Sequence, residues 1–203
     1  MNAARIKLAA EGHLDLAVLR RLASDAGFVP AEEYGMRGKA FVDSRLVNWN
    51  KAAQYAPWLV MRDLDQDANC AGQLVAKLLP APSRFMCFRV AVREVEGWIL
   101  ADRNACLEHL GFKAADIPQN FDVLTDAKLK LLTAARRASK AGVREGLVAV
   151  SKSGSLAEGD TYNAILTQFV THNWRPRYAE RSSVSLKKAR VRLAELAARA
   201  GIR

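Results

Sequence analysis

The period of the hydrophobic pattern changes repeatedly along the chain. Arg5-Ile6-Lys7-Leu8-Ala9-Ala10 alternates and then runs apolar, which predicts a first strand stopping at Glu11-Gly12. Over residues 14–26 the apolar positions Leu14, Val18, Leu19 and Leu22 recur at helical spacing, and Gly27 supplies a stop. Residues 28–30 read as a short second strand, and residues 34–39 as a glycine-punctuated basic loop. A helix is predicted over 43–56, with Leu46, Trp49, Ala52 and Ala53 inward, until Pro57 breaks it. Residues 58–62 form an apolar strand, 71–79 a helix, and 85–92 the most strand-like run of all. Beyond it, helices are predicted over 126–139, 162–171 and 185–200. A last strand is expected over 146–150, loop-like chain over 113–126, and a flexible Ser/Gly segment over 151–159. Strands alternating with helices indicate an α/β protein with a mainly parallel sheet flanked by helices.

Acids gather where strands end. The run Leu59-Val60-Met61-Arg62 stops in Asp63, Asp65 and Asp67, at alternate positions. Glu11 ends the first strand, Asp15 lies in the first turn of the following helix, and Glu94 and Glu96 follow the strand over 85–92. In a parallel sheet these ends share one edge, the edge where open α/β sheets bind ligands. Like charges so close repel unless a cation offsets them. Hard oxygen donors suit magnesium, so Asp63, Asp65, Asp67, Asp15, Glu94 and Glu96 are candidate ligands for Mg²⁺ (or Mn²⁺). Glu11 is the candidate general base, while Asp15 reads first as a helix-dipole partner near the helix N-terminus. Asp63-x-Asp65-x-Asp67 is no EF-hand, because Ala68 and Leu74 replace the glycine and glutamate that such a loop needs.

Charge sharpens this picture. Up to residue 126 there are 15 Lys/Arg against 16 Asp/Glu; beyond it there are 16 against 5. A basic second part beside an acidic pocket suits a phosphate polymer near a metal, and equally describes helices solvated by their charges. Lys39, Lys128, Arg136 and Arg137 are the candidate phosphate contacts, and Lys152 is a further cation placed after a strand. Trp174 with Arg175 and Arg177 reads either as a nucleic-acid patch or as a packed staple, and Trp98 reads as core. Cys70, Cys87 and Cys106 lack metal or disulfide spacing. Met1 to Lys7 enters a strand pattern without the apolar segment of a signal peptide, and no apolar run reaches membrane-spanning length. A cytoplasmic protein without membrane contact is the expectation, and no P-loop is present.

Glu11-Gly12-x-x-Asp15 after one strand, with Asp63-x-Asp65 after a later one, resembles the Toprim domain. That domain occurs in topoisomerases, bacterial-type primases, recombination-mediator proteins and overcoming-lysogenisation-defect nucleases. A closer resemblance, spanning nearly the whole chain, is to a family of small bacterial Toprim-like proteins. It is carried by Gly35 to Lys39, Asn48-Trp49-Asn50-Lys51-Ala52-Ala53, and Val92-Arg93-Glu94-Val95-Glu96-Gly97-Trp98-Ile99-Leu100-Ala101-Asp102. Asp126-Ala127-Lys128, Ala135-Arg136-Arg137 and Ser183-Val184-Ser185-Leu186 extend it. Gly97 and Val184 depart from it, standing where alanine and proline are expected.

The resemblance implies a Rossmann-like Toprim core over residues 1–112 and a basic, mostly helical extension over 113–203 packed on it as one structural unit. It implies acid/base work for Glu11, a Mg²⁺ site on Asp63 and Asp65, and a second metal on Glu94 and Glu96. The expected function is a magnesium-dependent nuclease or related phosphodiester-processing enzyme with a link to phage defence. The alternative is a non-catalytic subunit that binds nucleic acid or an ATPase partner and has a structural metal site. Nucleic acid is the leading partner, with an ATPase protein and a homodimer as further options.

Overall fold

The computed structural model describes residues 4–121 and 124–202. The sequence readings for residues 1–3 and for the middle of the 113–126 loop lie outside them. The chain divides into two compact units, Met1–Val92 with Ser185–Arg203, and Arg93–Val184. The divisions thus fall after Val92 and in the first turn of the C-terminal helix.

The first unit is an α/β layer structure. Strands β1 (Arg5–Ala10), β2 (Val29–Gly35), β3 (Trp58–Asp63) and β4 (Met86–Ala91) form one parallel sheet in the order β2-β1-β3-β4. β3 is buried nearly end to end, as a central strand covered on both faces requires, and this is why its sequence reads as an unbroken apolar run. β2 is an edge strand with no residue fully buried. It tolerates Pro30, Glu32 and Glu33 because one flank of its backbone needs no partner. Its seven residues exceed the three expected, since pairing with β1 rather than apolar alternation defines it.

Helix α1 (His13–Asp25) joins β1 to β2 and packs on both. Helices α2 (Lys39–Ala52) and α3 (Ala71–Leu78) join β2 to β3 and β3 to β4. They share a core with Ala9, Trp58, Val60, Phe88 and Val90, in which Trp49 and Trp58 stack with ring centroids 5.9 Å apart. Right-handed crossovers running in opposite senses put α1 on one face and α2 and α3 on the other. α2 starts four residues earlier than its sequence pattern suggests. Gly38, with φ 76°, turns the chain into it without a side-chain cap, so no capping residue announces it. The C-terminal helix, numbered α10 below (Val184–Arg199), buries Leu186, Leu193 and Leu196, and Arg190 pairs with Asp25 at 2.8 Å.

The second unit is mainly helical. It comprises α4 (Val95–Ala101), a short turn α5 (Arg103–Ala105) continued by a π-helical turn (Cys106–Leu110), α6 (Ala127–Arg136), α7 (Ala141–Leu147), α8 (Tyr162–His172) and α9 (Pro176–Ala179). The strand expected over 146–150 begins only at Val148. It is β5 (Val148–Val150), paired antiparallel with β6 (Leu156–Glu158) in a sheet of their own. Gly146 and Leu147 end α7 instead. The segment expected to be flexible is therefore a hairpin, in which Ser151 and Ser155 exchange backbone and hydroxyl hydrogen bonds of 2.9 and 3.1 Å. Trp98 is core, as expected, and Trp174 is completely buried, its indole N–H donating to the Trp98 carbonyl at 3.1 Å. Arg175 closes on Asp102 at 2.8 Å, so the packed staple is present and Trp174 has no face open for base stacking.

Candidate functional site

The strand order reverses between β1 and β3: the chain steps from β1 outward to β2, then returns past β1 to β3. At such a switch point the flanking loops diverge and leave a crevice beyond the carboxyl ends of the two strands. Glu11 follows β1 there and Asp63 ends β3. Glu11 Oε1 accepts the backbone N–H of Asp63 at 2.9 Å, so the two strand ends are joined across the switch point.

Backbone geometry fixes Glu11. The Ala10 carbonyl accepts from Met36 N at 3.1 Å and the Glu11 carbonyl from Gly38 N at 3.0 Å, tying the loop after β1 to the loop after β2. Gly35 makes this approach feasible: it has φ 107°, and a Cβ on it would lie 1.9 Å from the Ala10 carbonyl oxygen. Asp15, buried in the first turn of α1, places Oδ2 2.9 Å from where a Gly12 Cβ would stand. Burial pushes the Glu11 carboxyl up to about 7 from an ordinary 4.5. The Asp63 N–H and Arg62 pull it down, while Asp15 and Asp65 push it further up. Glu11 is thus held well above the ordinary carboxylate range and toward neutral pH, where a general acid or base works best.

A second layer of charge surrounds it. Arg62 projects from β3 with a side chain only 4% exposed. It pairs with Asp43 of α2 at 2.8 Å and Asp67 at 2.6 Å, and donates to the Asp63 carbonyl at 2.9 Å. Lys39 bridges Asp65 at 2.9 Å and Asp67 at 3.0 Å. Asp65 itself has φ 47°, an unusual conformation for a residue other than glycine, and one that aspartate tolerates better than most. Lys39, expected to meet phosphate, is here a counter-ion of the aspartates. Arg62 and Asp43 are the residues that sequence reasoning missed. A charged residue inside an otherwise apolar strand was the available signal, because a buried arginine requires partners.

Carboxylate oxygens of this kind match a hard divalent cation, and burial of Glu11 beside Asp15 and Asp65 makes its ionised form costly without a nearby positive charge. Asp65 and Asp67 are engaged by Lys39, and among the described residues no three His, Cys, Asp or Glu stand grouped to hold an ion. The oxygen donors are of the type a hard cation takes, but closure around an ion would require Lys39 to release the aspartates.

Glu94 and Glu96 belong to the second unit, where they form a cluster of their own. Glu94 precedes α4 and accepts the backbone N–H of Lys128 at 2.8 Å. Glu96 is buried and accepts the Tyr162 hydroxyl at 2.8 Å. Lys128 Nζ reaches Glu158 at 2.9 Å and Glu96 at 3.8 Å. Burial pushes Glu96 up to about 7, against the opposing pull of Lys128 and Tyr162. Burial disfavours the Lys128 charge, and Glu96, Glu158 and Glu94 more than offset this, raising its pKa. Lys128 is thus held by acids. Arg137 is exposed and pairs with Asp116 at 2.9 Å; Arg136 is exposed.

Fold and site together define an α/β protein with an open parallel sheet and an acidic cluster at its switch point. Comparison with protein-family models, curated proteins and solved structures finds no match to this chain. No helix of the described residues is long and apolar enough to cross a membrane.

Proposed function

We propose that the chain is a Toprim-like, magnesium-dependent enzyme that processes phosphodiester bonds in nucleic acid, most simply a nuclease. The observation that supports this reading is the delivery of Glu11, Asp15 and Asp63 from three chain positions to one crevice, with Glu11 held near neutrality. Mg²⁺ would be held by Asp63 and Asp65, where it supplies Lewis acidity toward a phosphoryl oxygen. Glu11 takes or returns the proton of the attacking group, and the Asp63 N–H fixes its orientation. Lys39, once displaced from Asp65, is a cation at the crevice for substrate phosphate.

Cleavage of single- and double-stranded DNA and RNA with Mg²⁺ or Mn²⁺ tests this. Activity should require the ion, fall to background in Asp63→Ala and Asp65→Ala, and drop about 10²–10⁴-fold in Glu11→Gln. Ion-independent activity unchanged by these substitutions would overturn it.

A second reading has its own support. Arg62 and Lys39 already neutralise part of the acidic cluster from within. This favours a non-catalytic subunit that engages nucleic acid or an ATPase partner. Binding without turnover under any divalent ion would select it, and a steep fall of affinity with salt would select nucleic acid as the partner.

A further inference from the structure

A cleft of about 470 Å³ lies between the edge strand β4, the end of α3 and the C-terminal helix, all within the first unit. Its walls differ sharply in chemistry. Val75 and Pro82 offer apolar surface over the buried Leu79 and Phe88, while Arg84, Arg89, Arg192 and Arg199 bring guanidinium groups. The one carboxylate in the lining, Glu195, pairs with Arg192 at 2.8 Å. Arg199 is steered by donating from Nε to the Arg84 carbonyl at 3.0 Å, which leaves its terminal nitrogens for other partners.

Arg89 is the informative residue. It is half-buried on β4, and its Nε is shielded from solvent with no hydrogen-bond partner among the described residues. A guanidinium in such a place carries five donors and has a strong demand for an anion. Burial and the neighbouring Arg192 both disfavour its charge, so an incoming anion would relieve both effects. Ordinary small-molecule sites have this volume, with apolar walls and a few convergent polar groups.

We propose that this cleft binds a nucleotide-sized phosphate monoester, with the phosphate on Arg89, Arg192 and Arg199 and the less polar body against Val75 and Pro82. Arg89 supplies the buried contact, and the two exposed arginines on α10 close the rim. The site is separate from the acidic crevice and does not rest on the metal-dependent reading.

The test is calorimetric titration of the full chain with AMP in EDTA, so that failure of the metal site has no bearing on the result. Adenosine and inorganic phosphate serve as part-probes. AMP should bind more tightly than either part, and Arg89→Gln should weaken it about tenfold or more, as loss of a charge-assisted contact predicts. Arg199→Gln, at an exposed helix position, should weaken it to a similar degree. Absence of AMP binding at millimolar concentration overturns the proposal, as does AMP affinity indifferent to Arg199→Gln. An oligonucleotide that binds through these arginines while AMP does not would also overturn it, making the cleft a backbone groove.

Discussion

Glu11→Gln isolates the electrostatics of the crevice, because glutamine keeps the oxygen that accepts from Asp63 N and removes the charge. The wild-type carboxyl is pushed up to about 7 from 4.5, chiefly by burial. Between these values the folded state holds a proton that the unfolded chain has released. Stability contributed by the raised pKa is therefore complete below the unfolded value and is lost as pH rises through the folded one. The full interval corresponds to roughly 3 kcal/mol as a ceiling, and solvent screening of a partly exposed carboxyl reduces it to about 1–3 kcal/mol. Urea unfolding followed by tryptophan fluorescence, in EDTA at about pH 5 and about pH 8, reads this difference directly. Wild type should lose about 1–3 kcal/mol relative to Glu11→Gln between the two conditions. Glu96, which titrates in the same range, cancels because both proteins contain it. Parallel pH profiles for the two proteins would refute the placement of Glu11 in a desolvated acidic crevice.

Other perturbations probe the supporting structure. Arg62→Met retains much of the apolar bulk but removes the buried cation from part-exposed Asp43 and Asp67, the latter keeping Lys39; thermal or urea unfolding near neutral pH should show a loss of about 1–3 kcal/mol. That loss should shrink in acid. Asp67 is held below its ordinary 3.8 by Lys39 and Arg62, so its stabilisation is present above that value and disappears as pH falls through the folded one. Gly35→Ala should cost more than the ~1–2 kcal/mol of a left-handed residue alone, since its Cβ would collide with the Ala10 carbonyl; circular dichroism melts check this. Tyr162→Phe removes the hydroxyl that donates to buried Glu96 and should cost about 1–3 kcal/mol in urea unfolding. It should also raise the Glu96 pKa further, visible in carboxyl NMR titration, because one stabiliser of the ionised form is gone. Millimolar Mg²⁺ should raise the melting temperature of wild type, and the rise should vanish in Asp63→Ala, as mass action on a folded-state site requires.

Much of the layout follows from the sequence alone. The continuous apolar run ending in Asp63 reads as a buried strand, and the helical spacing of Leu14, Val18 and Leu22 reads as a packed helix, and both are what the fold contains. Local chemistry also put Glu11 and Asp63 at strand ends, since glycine and acids stop apolar runs. Strand order is a different matter. That β2 lies outside β1, so that Glu11 and Asp63 flank the reversal, depends on pairing between segments distant in the chain. Edge strand β2 carries little apolar signal because its environment is half solvent. The fate of the charges was decided in space as well: Lys39 and Lys128 read as phosphate contacts by type, yet each sits within reach of acids from other elements. Sequence records that a residue is charged and on which element it lies, whereas its partner is set by which loops the fold brings within about 4 Å, the range over which a buried charge must be compensated.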